Sequence, residues 1–188
     1  MSMDRRAALE ILKRHVTNEI VVAVYSTGAD WFEMNDRPLN YFSFGAMGLG
    51  SSHGLGLALA RPERKVIVLD GDGSLLMNLG TLVTIGKVAP TNLVHFVFKN
   101  GVYEANGSHP IPNQEVDFEG MARAARIRNV GGASTLSEFE QRLPQWLAAP
   151  GPTFVCVNIE ESSREPPDYV DLYKPARRAA LRQALASA

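Results

Sequence analysis

Short runs of β-branched and apolar residues alternate with helical stretches along this chain, and this alternation restricts the fold more than any other feature. The runs are continuously apolar, which is typical of strands that helices cover on both faces. Strands that alternate with helices favour an α/β fold with a mainly parallel sheet. We therefore predict a three-layer sandwich, in which helices flank a mainly parallel central sheet. The predicted strands are 20–25, 65–70, 93–98, a weaker one near 127–130, and 153–159.

The predicted helices lie between these strands. In the first, Leu9, Leu12 and Val16 recur at helical spacing. Further helices are expected at 47–60, 74–88, 118–125 and about 136–146, and Pro144 is expected to kink the last of them. The segments 26–44, 100–116 and 160–174 are predicted to be loops, and 174–188 a short basic helix.

Composition narrows the class of protein. A chain of 188 residues with 45% hydrophobic and 21% charged residues fits one domain, which we expect to span residues 1–188. The net charge of −1 argues against broad electrostatic binding to nucleic acid or to an anionic membrane. No apolar run approaches the roughly 20 residues of a transmembrane helix, and no secretion signal is evident. A single cysteine fits a reducing compartment, so we expect a cytoplasmic protein.

An aspartate between two glycines follows the predicted strand 65–70, in the turn Gly71-Asp72-Gly73. Glycine allows a ligand to approach the backbone closely, and Ser74 with the first helical N–H groups can bind an anion. Asp72 would repel a phosphate there unless a cation lay between them. The pattern therefore indicates a divalent metal, and Mg²⁺ suits a site of carboxylate and phosphate oxygens. The alternative is an Asp-Gly turn that only caps a helix.

A second polar segment follows the predicted strand 93–98. Parallel strands end at the same edge of a sheet, so Asn100 can supply a second oxygen to the same cation, and a nearby backbone carbonyl a third. The alternative is that Asn100-Gly101 is simply a turn.

Together the two segments resemble the thiamine diphosphate motif of the thiamine diphosphate-dependent decarboxylases: Gly-Asp-Gly, then residues 74–99, then asparagine. The resemblance covers about residues 40–160 and implies the diphosphate-binding domain of that family. It implies that Mg²⁺ is held by Asp72, Asn100 and the carbonyl of Val102. Lys99 departs from the commonest pattern, which has an asparagine there. The cofactor contacts that it implies in these two segments are Gly71, Asp72, Gly73, Ser74, Asn100, Val102 and Tyr103.

A third segment, residues 42–60, resembles the stretch that holds the aminopyrimidine ring of the cofactor. It implies cofactor contacts from Gly45, Ala46 and Met47. Met47 would lie under the cofactor and bend it, so that its 4′-nitrogen reaches the thiazolium C2 proton, and the carbonyl of Gly45 would accept a hydrogen bond from the 4′-amino group. The alternative for Met47 is a core position in a glycine-rich helix.

The loop after Asn100 holds two further candidates. His109 could face the substrate, and Asn106 stands where some relatives of the family carry a catalytic glutamate. With Met47, these two residues complete the predicted catalytic set. Cys156 is flanked by two valines in a strand and is expected to be a core residue and not a nucleophile.

The family also requires a glutamate that activates the aminopyrimidine, and it comes from a pyrimidine-binding domain that is usually on another chain. No such second domain is evident here. The resemblance therefore implies the β-type subunit of an oligomeric 2-oxoacid decarboxylase, completed by an α-type subunit. This chain is similar to single-domain subunits that act on 3-sulfopyruvate. It is also similar to the C-terminal part of single-chain enzymes that act on 3-phosphonopyruvate. The product would be an aldehyde.

Other interpretations stay open at this point. The same domain occurs in synthases and in 2-oxoacid oxidoreductases that use thiamine diphosphate, and a degenerate binding subunit is a further alternative. A Rossmann-like nucleotide site is another, because Gly48, Gly50 and Gly54 approximate its glycine pattern and Asp70 follows at the expected distance. That interpretation leaves Asn100 unexplained, and residues 41–44 make a poor core strand.

Overall fold

A parallel sheet of six strands forms the centre of the molecule. The structure is a computed structural model that describes residues 3–43, 47–162 and 169–186. The strand order is β2-β1-β3-β4-β8-β7, and every neighbouring pair is parallel. A separate antiparallel pair, β5–β6, follows β4. The strands are β1 Ile20–Val24, β2 Asn40–Ser43, β3 Val66–Gly71, β4 Leu93–Lys99, β5 Val102–Tyr103, β6 His109–Pro110, β7 Asn129–Ala133 and β8 Thr153–Asn158.

Helices connect the strands and cover both faces of the sheet. The α-helices are α1 Arg5–Lys13, α2 Tyr25–Met34, α3 Gly50–Ala60, α4 Asp72–Met77, α5 Thr81–Val88, α6 Phe118–Ala124, α7 Leu136–Ala148 and α8 Pro175–Ala186. Two 3₁₀ turns lie at Glu104–Asn106 and Val170–Tyr173. No helix within the described ranges is long and apolar enough to cross a membrane.

Two hydrophobic cores separate the three layers. Helices α1, α2 and α7 bury Leu9, Trp31 and Phe139 against one face of the sheet. Helices α3, α5 and α6 bury Leu55, Leu82 and Phe118 against the other. Successive strand residues point to opposite faces, so each central strand contributes to both cores and must be apolar throughout. The predicted α/β sandwich is confirmed.

Close packing explains the glycine-rich sequence of α3. A Cβ on Gly54 would lie 2.2 Å from Val68 Cγ2, and one on Gly50 would lie 2.4 Å from Val24 Cγ2. The helix backbone therefore rests directly on β1 and β3, and a larger side chain at either position would push it away from the sheet.

The prediction of a loop over residues 26–44 is wrong, because this segment contains most of α2 and all of β2. Helix α2 has no side-chain hydrogen bond at its N-cap, so it lacks the usual sequence signal for a helix start. It is stabilised by burial of Trp31 and Phe32. Strand β2 has four residues and lies at the edge of the sheet, which explains why residues 41–44 did not resemble a core strand.

Four other boundaries differ from the predictions. The single helix predicted for 74–88 is two helices, α4 and α5. Asn78 lies between them, and its side chain donates hydrogen bonds to the Gly48 carbonyl and to Ser52 Oγ. The glycine-rich helix begins at Gly50 instead of Met47. Pro144 lies inside α7, which continues to Ala148. The remaining strand, at Asn129–Ala133, begins two residues later than expected.

Candidate functional site

The topology of the sheet marks one place for a ligand. Strand β2 lies on one side of β1 and β3 on the other, so the direction of winding reverses between β1 and β3. In open α/β sheets, ligands bind outside the carboxyl ends of the strands at such a point. A cleft lies there, with about 400 Å³ of empty space including the part open to solvent. It is lined by Arg5, Val24, Tyr25, Ser26, Thr27, Met47, Gly71, Asp72, Gly73, Ser74, Phe98, Asn100, Val102, Tyr103, Glu104 and Ala105.

Most of the predicted site residues meet in this cleft. Those that line it are Met47, Gly71, Asp72, Gly73, Ser74, Asn100, Val102 and Tyr103. Gly45 and Ala46 lie outside the described residues. The lining residues meet because parallel strands end at the same edge of the sheet: most of the cleft residues lie in the segments that follow β1, β3 and β4, and Met47 follows β2.

Asp72 is a buried carboxylate at the first position of α4 and is 2% exposed. Its Oδ1 accepts a hydrogen bond from the Gly73 N–H at 2.8 Å, and its Oδ2 accepts one from the Gly101 N–H at 2.7 Å. Burial raises the pKa of Asp72, although these backbone hydrogen bonds oppose the shift. The charge of Lys99 also opposes the shift, but the salt bridges of the described residues do not include Asp72. A buried carboxylate of this kind is suited to hold a bound cation.

Asn100 lies beside Asp72 at the end of the neighbouring strand. Gly71 pairs with Phe98 in the β3–β4 register, so the residues that follow both strands emerge side by side. The Asn100 Oδ1 accepts a hydrogen bond from the Val102 N–H at 3.1 Å, and its Nδ2 donates one to Glu104 Oε2 at 3.1 Å. The three predicted oxygen donors therefore come from two adjacent turns.

Two further contacts shape the walls of the cleft. The Gly48 N–H donates to Ser74 Oγ at 3.2 Å, which fixes the turn that carries Met47 against α4. Gly73 packs against the ring of Tyr103, since a Cβ there would lie 2.5 Å from Tyr103 Cδ1. The cleft thus needs glycine at position 73 for close packing.

Asn106 and His109 are exposed and are not among the residues that line the cleft. His109 pairs with Tyr103 in the β5–β6 hairpin, and Asn106 ends the 3₁₀ turn between the two strands. Their catalytic role stays a prediction.

The structure adds residues that sequence reasoning missed. Tyr25, Ser26 and Thr27 follow β1 directly, so the rule that located Asp72 could also have found them. Tyr25 has a φ of 43°, in the left-handed region that residues other than glycine rarely adopt, and such strain often occurs at functional sites. Arg5 comes from α1, and nothing in the local sequence signals its position.

Cys156 and His95 take no part in the cleft. His95 is buried, and its Nε2 lies 3.2 Å from Asp70 Oδ2. Burial raises the pKa of the Cys156 thiol to about 12, so it stays protonated, and hence a poor nucleophile, at any pH well below that value.

We expect the folded protein to react with a disulfide reagent such as Ellman's reagent only after unfolding. The thiol has 5% exposure and a raised pKa, so both access and thiolate are lacking. A time course at pH 8 with and without denaturant measures this. Rapid release of thionitrobenzoate by the native protein would contradict the assigned core position.

Comparison with known proteins decides between the interpretations of this cleft. Residues 22–157 match the family model described as the thiamine pyrophosphate enzyme, C-terminal TPP binding domain. The chain belongs to the thiamine pyrophosphate enzyme family. The match confirms the resemblance to thiamine diphosphate enzymes and disfavours the Rossmann-like alternative.

The TPP binding domain has relatives of two lengths. A phosphonopyruvate decarboxylase of Streptomyces viridochromogenes is 40% identical over 162 residues, covering 85% of this chain and 40% of that protein. The sulfopyruvate decarboxylase subunit beta of Methanothermobacter thermautotrophicus is 34% identical over 168 residues, covering 89% of this chain and 88% of that subunit. This chain therefore spans less than half of the first relative and most of the second.

A solved structure shares the fold. Benzoylformate decarboxylase from Polynucleobacter necessarius superposes with a TM-score of 0.69 at 23% identity, covering 85% of this chain and 33% of that chain. The TPP binding domain here thus has the same architecture as part of a much longer enzyme.

Proposed function

We propose that this TPP binding domain is the cofactor-binding subunit of a cytoplasmic 2-oxoacid decarboxylase. It would bind thiamine diphosphate with Mg²⁺ and convert a substrate such as 3-sulfopyruvate or 3-phosphonopyruvate to an aldehyde. The observation that carries the proposal is the buried Asp72 beside Asn100, at the edge of the sheet where the direction of winding reverses. The relatives of the two lengths, named as phosphonopyruvate and sulfopyruvate decarboxylases, support the substrate class.

The donor set fits Mg²⁺, which prefers oxygen ligands in an octahedron and keeps substrate phosphates and waters among them. Asp72, Asn100 and the Val102 carbonyl would supply three oxygens. The described residues contain no group of three or more His, Cys, Asp or Glu side chains that could hold a metal. The remaining positions thus suit diphosphate oxygens and water, so metal and cofactor should bind together.

The rest of the cleft suits a diphosphate. Ser74 lies at the cleft, and the first turn of α2 brings Ser26 and Thr27 to its opposite wall. Helix α2 has no side-chain hydrogen bond at its N-cap, and the N-terminus of a helix attracts anions. When bound, thiamine diphosphate supplies the electron sink for loss of CO₂, and the protein orients it.

A decarboxylation assay tests the proposed function. The chain is mixed with a pyrimidine-binding partner chain, thiamine diphosphate and Mg²⁺, and 3-sulfopyruvate, 3-phosphonopyruvate and pyruvate are offered separately. Aldehyde formation from one of the first two is expected. If none of the three loses CO₂ in the assembled mixture, this function is wrong.

Replacing Met47 is expected to change cofactor reactivity more than cofactor affinity. The Met47 side chain is half-buried at the cleft, and the family resemblance implies that it would lie beneath the bent cofactor. Met47→Ala should therefore slow exchange of the cofactor C2 proton, measured by NMR after acid quench in the assembled enzyme, by up to about 100-fold, which is what a misplacement of about 1 Å can cost. Met77→Ala is the matched control, because Met77 is 51% exposed and outside the cleft. Equal losses in exchange and in affinity would indicate a packing role.

A further inference from the structure

A buried arginine from the first helix reaches the cofactor cleft. The Arg5 side chain is 8% exposed, lines the cleft and belongs to α1. It lies outside residues 22–157, which match the family model. A buried guanidinium is costly unless its N–H groups are paired, so its partners indicate what it does.

Arg5 donates two hydrogen bonds to the carboxylate of Glu104. Its Nη1 donates to Glu104 Oε2 at 2.5 Å, and its Nη2 donates to Glu104 Oε1 at 3.0 Å. Such a bidentate pair fixes the carboxylate in direction as well as in distance. Glu104 Oε2 also accepts the hydrogen bond from Asn100 Nδ2. One continuous chain of contacts therefore joins α1 to the asparagine of the candidate metal site.

The Nε atom of Arg5 also has a charged partner. Its Nε donates to Asp30 Oδ2 at 2.7 Å, and Asp30 Oδ1 accepts a further hydrogen bond from Arg6 at 2.9 Å. Asp30 lies on α2 and is 6% exposed. Burial acts to lower the pKa of Arg5, but its hydrogen bonds to Glu104 and the charges of Asp30 and Glu104 raise it overall, so the guanidinium stays charged. The group cannot turn without breaking several charged contacts.

This arrangement distinguishes the two ends of the Asn100 amide. A carboxylate only accepts hydrogen bonds, so Glu104 can face the amide nitrogen and not the amide oxygen. The oxygen is thereby directed away from Glu104, where it accepts the Val102 N–H and can serve as a ligand. Without Glu104, the amide could rotate and present its nitrogen to a cation, which would repel it.

We propose that Arg5 is a positioning residue for the metal site, acting through Glu104 to hold Asn100 with its oxygen toward the cation. The proposal rests on the proposed function only in taking Asn100 as a Mg²⁺ ligand. The contacts among Arg5, Glu104 and Asn100 are independent of it.

The sign of the effect on Mg²⁺ affinity tests the proposal. The apparent Kd for Mg²⁺ is measured by calorimetry on the full chain with saturating thiamine diphosphate. Arg5→Gln removes a positive charge near the cation, so charge alone would tighten binding. Positioning predicts the opposite, a Kd raised by about tenfold or more, since partners that orient metal ligands typically contribute 10–100-fold to affinity. Unchanged or tighter binding overturns the proposal.

One further variant separates geometry from charge. Arg5→Lys keeps the charge and loses the bidentate contact, and it should still weaken Mg²⁺ binding. Glu104→Gln breaks the same network and should also weaken Mg²⁺ binding, but it removes a negative charge, so charge alone acts in the same direction. Glu33→Gln is the matched control, because Glu33 pairs with exposed Arg6 at the outer end of the same network and does not line the cleft. If Glu33→Gln binds Mg²⁺ as weakly as the test variants do, the network has only a structural role.

A readout without cofactor separates this proposal from the proposed function. In ¹⁵N-labelled ligand-free protein, the Asn100 side-chain amide, assigned by its loss in Asn100→Asp, should show one hydrogen-bonded, slowly exchanging proton. Arg5→Gln and Glu104→Ala, which leaves no acceptor at position 104, should remove that protection, with thermal unfolding confirming that they fold. If protection persists in both, the proposal fails. If wild type lacks Mg²⁺-dependent cofactor binding yet the variants lose protection, the metal assignment fails and the tether from Arg5 to Asn100 stands.

Discussion

Asp72→Ala is expected to abolish Mg²⁺-dependent binding of thiamine diphosphate to this chain. Asp72 is the one carboxylate among the three oxygen donors that we assign to the metal, and it is buried beside Asn100. Removing it takes away the negative charge that attracts the cation, and the diphosphate then loses the cation that neutralises it. The loss should exceed the roughly 100-fold that an outer partner of a metal ligand can cost.

Calorimetric titration of thiamine diphosphate, with Mg²⁺ and then with EDTA, measures this effect. Asp171→Asn serves as a control, since Asp171 is exposed and pairs only with Lys174 among the contacts described for its carboxylate. Asp72→Asn adds a second test that keeps the volume of the side chain. Wild-type affinity in either Asp72 variant would remove the metal assignment.

The chain alone is expected to decarboxylate no 2-oxoacid, even with cofactor and metal at saturation. The family resemblance implies that catalysis requires a glutamate at the aminopyrimidine. Among the described residues, the cleft is lined by one glutamate, Glu104, and it is already bound to Arg5 and Asn100. The activating glutamate must therefore come from elsewhere, and we propose an α-type partner.

Addition of a pyrimidine-binding chain of roughly 160–180 residues, the size of one domain, should restore turnover. The rate of decarboxylation should rise from background to a measurable value. The matched control mixes the same partner with Asp72→Ala, which should stay inactive. Full turnover by the pure wild-type chain would refute a divided active site.

The sequence was sufficient for the general architecture and for most of the cleft. Continuous apolar strands predicted a covered parallel sheet, and the polar residues after two of them predicted where Asp72 and Asn100 would meet. Both inferences depend only on strand direction and on the ends of parallel strands. The same rule, applied to the end of β1, would have added Ser26 and Thr27.

Other features depend on contacts between distant residues. Helix α2 has no cap and is stabilised by burial of Trp31 against the sheet, so its sequence predicted a loop. The break between α4 and α5 depends on Asn78 binding the backbone of Gly48. The pairing of Arg5 with Glu104 joins residues 99 positions apart, and local patterning carries no signal for it.

The construction of the cleft from three separate turns couples the cofactor to folding. The turns after β1, β3 and β4 meet only when these strands have paired, so the unfolded chain has no comparable site. A ligand that binds only the native state raises the free energy of unfolding by about 2.7 kcal/mol at 100 times its Kd. The supply of thiamine diphosphate would thereby affect how long this domain resists proteolysis.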